Sequence, residues 1–516
     1  MYPLRELSAG GQLVSGADLT DLVLRGAAGL AELGCRPADR VAVLMRNSLE
    51  QLAATLAVQH LGAYPVQMNW HGQVPELLYV LDDCGAAILV AHADLLARFD
   101  GCLPGALRVV RVAPDAALQA AYPDAAAEVA TAAPATVPGQ YGWSEWIATR
   151  AASGTPAAAP LESIIYTSGT TGHPKGVRRF PASAAQRALT EAMRHQVTGI
   201  GAGARVMVPA PLYHAAPLMF AMHAVRHAEF LQLPPRFDAA AFLGDVERYR
   251  ISHVFVVPIM FVRLLALPAA VRARHDLSSL RLVLHAGGPC APAIKRAMID
   301  WLGPVIHEYY GSTEAGPSTL CDSADALRHP GTVGRPVEGV SIEIQDEAGA
   351  AVPVGQVGEL CVRNDAYADF TYLHRAAERL ALQRGAFMAT GDLGYRTADG
   401  YYFLCDRKRD MVISGGVNIY PAEIEAAILE LPQVADCAVF GIPDAEFGEA
   451  LAALIQPREG VEADVAQVTE HLRTRLAAFK IPRLIELRTS LPRDEAGKIR
   501  KRTLREAYWR AAGRLI

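Results

Sequence analysis

Ser163-Ile-Ile-Tyr-Thr-Ser-Gly-Thr-Thr-Gly-His-Pro-Lys-Gly176 is the stretch on which the fold turns. A short apolar run, Ser163–Tyr166, passes straight into a loop of glycines and hydroxyl residues. That is the pattern of a buried strand ending in a ligand-binding turn. Comparable runs recur at Val41–Met45, Ala87–Val90, Arg205–Val208, His253–Val257, Arg281–Leu284 and Val305–Tyr309, with helical stretches between them. Short apolar runs closed by Gly, Pro or Ser suit strands covered on both faces. Their alternation with helices predicts an α/β fold with largely parallel sheets. Such folds bind ligands beyond the carboxyl ends of their strands. TSGTTG, His285-Ala-Gly-Gly288 and Tyr310-Gly-Ser-Thr-Glu314 all follow predicted strands.

The loop chemistry points to phosphate. Gly169 and Gly172 leave backbone N–H groups accessible, Thr167, Ser168, Thr170 and Thr171 offer hydroxyls, and Lys175 adds a point charge. It is not a Walker A loop, because Pro174 intervenes and Gly176 follows the lysine. Alone, such a turn is more often merely a turn.

A chain of 516 residues predicts two or more domains. With 51% hydrophobic and 20% charged residues it has the composition of a folded soluble protein. A formal net charge of -5 with mixed signs provides no basic field for nucleic acid and no polybasic patch for anionic lipid. The eight cysteines include no C-x-x-C pair, so reduced thiols fit better than structural zinc or a disulfide framework. The N-terminal MYPLRELSAGGQL is charged where a signal peptide is apolar, and no run of the length a membrane span needs is uncharged and apolar. The expectation is a cytoplasmic monomer or homodimer. Ala113–Pro160, rich in Ala and Pro, reads as a surface excursion or peripheral helices. Around Gly331–Asn364 the texture becomes antiparallel, with Val340–Ile344 and Glu359–Val362 flanking a turn at QDEAG. A smaller domain is expected to begin near Arg409, dividing the chain into 1–408 and 409–516.

Four further segments change the weight of the phosphate loop: Tyr309-Tyr-Gly-Ser-Thr-Glu314, Thr390-Gly-Asp392, Asp406-Arg-Lys-Arg-Asp410 followed by Ser414-Gly-Gly-Val-Asn418, and Gly497-Lys498-Ile499. In this order they resemble the adenylate-forming superfamily of acyl-CoA synthetases, peptide-synthetase adenylation domains and luciferases, over roughly residues 20–505. The resemblance implies a large N-terminal domain with α/β sheet subdomains and a small β-barrel-like subdomain, plus a small mobile α+β C-terminal domain. It implies that ATP and Mg2+ convert a carboxylic acid to an acyl-adenylate, with pyrophosphate released and the acyl group then passed to coenzyme A.

Roles follow residue by residue from the resemblance. The 168–175 loop holds the β- and γ-phosphates, Thr313 contacts the α-phosphate and Glu314 is the Mg2+ ligand. Tyr309, Tyr310, Gly311 and Ser312 line the nucleotide site with Gly287 and Gly288, and Tyr310 offers a face for adenine. Asp392 and Arg407 hold the ribose, and Arg409 is the hinge. Lys498 bridges the carboxylate and the α-phosphate in the transition state. Ser414, Gly415 and Gly416 let the pantetheine arm of CoA pass, and His214 gates the thiol tunnel. Taken singly, Tyr310 reads as a core tyrosine, Arg407 as a solvated charge and Lys498 as an ordinary lysine in a basic tail. Asp494 and Ala496 stand where the family has hydroxyl residues beside the Gly-Lys pair.

Two other readings stay open. A free-standing enzyme could load a separate carrier protein, although the 18 residues after Lys498 (499 to 516) hold no fused carrier. A non-catalytic nucleotide-binding protein is the other. For the acid, Tyr213–Phe220, Val257–Phe261 and His285–Pro289 read as pocket walls and favour an apolar aliphatic or aromatic substrate, with Arg263 and His223 the residues that could take a second carboxylate.

Overall fold

The computed structural model describes residues 4–99, 101–123, 140–152, 160–167, 174–408, 410–414, 417–444, 447–461, 463–493 and 499–511. Among these, the strands form three sheets. In one, Tyr64–Gln67, Arg40–Leu44, Ile88–His92, Arg108–Val112 and Gln140–Gly142 run parallel to Ile164–Thr167. That last strand turns back through the glycine-rich loop into Lys175–Arg179, with Thr167 opposite Lys175. The two strands that flank residues 168–173 are therefore antiparallel neighbours at the end of a parallel run.

The largest sheet places Glu6–Ala9, Phe230–Leu233, Arg205–Met207, His253–Val256, Leu282–His285 and Ile306–Ser312 side by side in parallel. Every residue of Phe230–Leu233, His253–Val256 and Leu282–His285 is buried, as helices on both faces require. The strand Ile306–Ser312 then pairs antiparallel with Gly316–Cys321, and the sheet continues antiparallel through Thr332–Pro336, Tyr402–Arg407, Phe387–Arg396, Gly358–Asn364 and Val340–Gln345. The expected pairing at 340–345 is present, Gln345 facing Glu359. This portion curls so that its last two strands return to Gly316–Cys321, which gives it the barrel-like form.

The smaller C-terminal domain has its own sheet (Val417–Ile419, Val412–Ser414, Gly448–Pro457, Val434–Asp444 and Leu484–Leu487) and a separate core around Ile424, Ile428, Val439, Ile455, Val468 and Leu472. Its first helix, Pro421–Ile428, starts on a proline at N1 with Glu423 in the first turn. The boundary residue Arg409 lies outside the described residues.

One expectation fails. Within Ala113–Pro160, the strand Gln140–Gly142 joins the first sheet, and Trp143 and Trp146 on the helix behind it are 3% and 5% exposed. Both indoles lie over Gly26 and Gly29 of the helix Gly16–Glu32. Large aromatic area next to residues without side chains makes this segment part of the core rather than an excursion.

Candidate active site

The motifs converge through the two hairpins. Tyr309, Tyr310, Gly311 and Ser312 lie within the strand Ile306–Ser312, not after it, because Gly316–Cys321 folds back along them. A bulge between Tyr310 and Gly311 brings the two strands so close that a Cβ on Gly311 would stand 2.3 Å from the Gly316 carbonyl oxygen. Only glycine fits there. The turn between the strands carries Thr313 and Glu314, and Ala315 N–H donates to Ser312 Oγ at 2.9 Å.

Glu314 faces the hairpin of Ile164–Thr167 and Lys175–Arg179. Its Oε1 accepts from Tyr372 OH at 3.0 Å and from Thr167 Oγ1 at 3.4 Å. Its Oε2 accepts no hydrogen bond among the described residues. Lys175, on the other limb of the hairpin, pairs with Glu378 at 2.5 Å and lies 5.2 Å from the Tyr372 ring centre. Ser168, Gly169, Thr170, Thr171 and Gly172 themselves lie outside the described residues.

Arg179, which the sequence gave no reason to single out, holds this turn. One guanidinium nitrogen donates to the carbonyls of both Thr313 and Glu314 at 2.7 Å, and the other donates to Ala368 O at 3.0 Å. Its guanidinium carbon stands 4.4 Å from the Tyr367 ring centre. Arg179→Met keeps bulk but removes both donors. The expected result is a roughly tenfold loss of adenylation, about 1.4 kcal/mol, and a rise in the half-saturating Mg2+ concentration, read by titration.

The third convergence is at Asp392. Thr390-Gly-Asp392 lies inside the strand Phe387–Arg396 instead of at a turn, with Gly391 at φ 76°, where side chains are strained. Asp392 faces Arg407 across the sheet. Its Oδ1 pairs with Arg407 Nε at 2.7 Å, and its Oδ2 accepts from Tyr310 OH at 2.7 Å. Burial first, then Asp392, pushes the Tyr310 hydroxyl well above its ordinary pKa, so it stays a donor. A carboxylate has about four acceptor positions, and two here remain open among the described residues. Asp392 is 5% exposed, which keeps those bonds out of competition with bulk water.

Beneath the Tyr309–Glu314 segment sits a second feature that sequence reading missed. Lys295 and Glu308 form an ion pair with both residues buried, at 4% and 7% exposure. Glu308→Gln is expected to cost about 3–5 kcal/mol, because it strands a buried ammonium. Denaturant unfolding measures it.

An aromatic cluster stands at the start of the helix Ala215–His227. His214 caps the helix Ala215–His227 without a side-chain bond; its ring centre is 4.2 Å from that of Tyr213, which in turn is 6.4 Å from Trp70 and 6.5 Å from His71. The His214 Nε2 is buried with no hydrogen-bond partner among the described residues. A Cβ built on Gly288 would meet nothing within 4 Å among the described residues, which leaves open space at that turn.

Burial holds His214 at about 4, against about 6.5 in an unfolded chain. It is neutral at working pH. The unfolded chain takes up a proton that the folded one refuses. Its contribution to stability is therefore intact above about pH 6.5 and drains away as the pH falls towards about 4. Unfolding midpoints measured across that window should fall less steeply for His214→Gln than for the parent. His71 is held at about 3 by burial first, then by Arg46, Arg98, His214 and Arg500. Arg500 belongs to the C-terminal domain, which therefore comes within electrostatic reach of this aromatic wall. Lys498, Gly415 and Gly416 lie outside the described residues, and Ser414 closes the strand Val412–Ser414 opposite Val417 and Gly448.

Residues 3–369 match the family model for AMP-binding enzymes, and residues 423–498 match the model for the AMP-binding enzyme C-terminal domain. The chain belongs to the AMP-binding enzyme family. Among its relatives is a feruloyl-CoA synthase of an Amycolatopsis species, 33% identical over 97% of this chain and 95% of that protein. Another is an indoleacetate–CoA ligase of Aromatoleum aromaticum, 32% identical over 98% of this chain and 94% of that one. A solved structure, the amide bond synthetase McbA from Marinactinospora thermotolerans, superposes with a TM-score of 0.83 at 28% identity, covering 98% of this chain and 97% of that one. As its relatives are, this AMP-binding enzyme is an AMP-forming acid–thiol ligase: it activates a carboxylic acid with ATP and passes the acyl group to CoA. Among the described residues no helix is long and apolar enough to cross a membrane.

Proposed function

We propose that the chain adenylates an aromatic or apolar aliphatic acid at the Glu314–Asp392 cleft and transfers it to CoA after its C-terminal domain, 409–516, turns about Arg409. The observation that carries this reading is the clamp at Asp392, where Tyr310, Asp392 and Arg407, from three separate motifs, meet in bonding distance. Tyr310 presents a ring for adenine, and Asp392 with Arg407 takes the ribose. Thr313 and the 168–175 loop hold the phosphates, and Lys498 enters between the carboxylate and the α-phosphate.

Mg2+ fits at Glu314, whose Oε2 is unbonded among the described residues and whose neighbours Thr167 and Tyr372 offer oxygen rather than nitrogen or sulfur. When bound there it would offset charge between phosphate oxygens. Burial first, then Glu314, keeps the Tyr372 hydroxyl protonated, so it donates steadily to the carboxylate and holds it in place. Arg179 does the same for the backbone of that turn.

The choice of acid rests on the wall of Trp70, His71, Tyr213 and His214 and on the open turn at Gly288. Arg263 is exposed, and His223 faces Glu191 and His227, so neither is placed to take a second carboxylate. The names of the relatives, feruloyl and indoleacetate, point to aryl acids and support this side of the reading.

The test is pyrophosphate release across aryl, short-, medium- and long-chain acids. Acid-dependent release with aryl or apolar acids is the expected result, and none with any acid would leave only nucleotide binding. Adding CoA, a carrier protein or an amine to the preformed adenylate then identifies the acceptor. Thioester with CoA supports the reading, whereas consumption by the carrier or the amine alone replaces it.

A further inference from the structure

Away from the nucleotide cleft, the helices Ala184–Thr198 and Ala215–His227 each carry two potential ligands one turn apart, Glu191 with His195 and His223 with His227. Residues four apart share a helix face. The two faces meet. Donor atoms of Glu191, His223 and His227 all lie within 4.8 Å of one another. His227 Nε2 contacts Glu191 Oε1, and His223 Nδ1 stands 3.5 Å from the same oxygen. The His223 and His227 ring centres are 4.5 Å apart.

His223 is the unusual member. It is 1% exposed, yet neither of its ring nitrogens has a hydrogen-bond partner among the described residues. An orphaned buried polar group costs about 1–3 kcal/mol and calls for an explanation. Here the imidazole is aimed at a carboxylate and a second imidazole.

We propose that Glu191, His223 and His227 form a binding site for a divalent transition metal of the zinc class, with water in the fourth position. A tetrahedral ion with ligand bonds of about 2.0–2.1 Å places neighbouring donors about 3.3 Å apart, close to the 3.5 Å between His223 and Glu191. Two imidazoles and one carboxylate suit zinc, cobalt or nickel and disfavour the Mg2+ that the reaction uses. The Glu191 and His227 side chains are 39% and 37% exposed, which opens a route for the ion.

Besides Glu191, the charged and titratable groups around His223 are His227, Arg194, His195 and Arg226. Arg194 and Arg226 oppose a cation. Arg194, however, is paired with Glu162 at 2.7 Å, and Arg226 also acts on Glu162, so part of that field is already offset. His195 is exposed, with its ring centre 6.2 Å from His223, and stands too far out to complete the set. An ion here would tie the C-terminal turn of the helix Ala215–His227, whose other end begins at His214, to its neighbour.

The experiment uses the tag-free full chain, treated with chelator and titrated with Co2+ in the absence of nucleotide and Mg2+. One equivalent should bind with the strong visible absorption of a four-coordinate ion, and Zn2+ should displace it. Zn2+ should also raise the unfolding midpoint of the parent. In Glu191→Gln and His227→Ala, both half-exposed positions, affinity should fall by about 100-fold or more and the thermal shift should vanish. No visible band in the parent would overturn the proposal. So would unchanged affinity in both variants, or a sulfur-to-metal charge-transfer band placing the ion on a cysteine.

Discussion

Lys498→Ala is expected to lower acid-dependent pyrophosphate release by about 10²–10³-fold or more, while thioester formation from supplied acyl-AMP and CoA stays near the parent rate. The first half follows from the chemistry. A carboxylate approaching the α-phosphate brings two anions together, and a preorganised cation between them acts mainly in the transition state. The second half follows from position. Thiolation is proposed to fall to the Ser414–Gly416 segment, more than eighty residues before Lys498 in the sequence, so the lysine would have no task in it. Arg500 lies within electrostatic reach of His71, which brings the C-terminal domain near the wall proposed to hold the acid. Single-turnover assays of each half-reaction check the split. Equal loss of both would end the case for alternation between two domain positions.

Asp392→Ala should raise the KM for ATP by about 10²-fold, with the KM for the acid nearly unchanged. Each hydrogen bond between a charged group and a ligand hydroxyl contributes about 1.5–3 kcal/mol, and Asp392 has room for two. The substitution also frees Tyr310 and Arg407. Because the Arg407 side chain is 40% exposed, water can solvate it, and the loss of stability should be modest. Asp392→Asn separates charge from shape: it retains an acceptor for Tyr310 but lacks the full negative charge that pairs with Arg407. An intermediate KM is expected. A fall in turnover at saturating ATP with no change in KM would instead give Asp392 a part in the chemical step.

Much of this site was legible because its residues come as ordered segments with spaced glycines. Gly311 and Gly391 illustrate why: one meets a neighbouring carbonyl, the other has a left-handed backbone, and such constraints leave a mark in the sequence. Arg179 left none. It sits in Lys-Gly-Val-Arg-Arg, an unremarkable strand edge, and its role depends on a turn more than a hundred residues later. Lys295 and Glu308 were hidden for the same reason, since nothing local distinguishes a paired buried charge from a surface one. The strand Ile306–Ser312 ran past its expected end because Gly316–Cys321 supplied a ladder that apolar content alone does not reveal. Trp143 and Trp146 were overlooked when the alanine- and proline-rich composition around them was read as a whole.

The register at Asp392 and Arg407 has one more consequence. Beyond Arg407, Lys408 N–H still donates to Gly391 O at 2.9 Å, so the strand is anchored up to the residue before Arg409. Were Arg409 the pivot, as proposed above, the Asp392–Arg407 clamp would stand beside it, close to the centre of the motion. Points on an axle scarcely move while the rim sweeps through a wide arc. Acyl-AMP, the species most easily lost to water, would then keep its seat throughout, and the two catalytic faces would travel to it in turn.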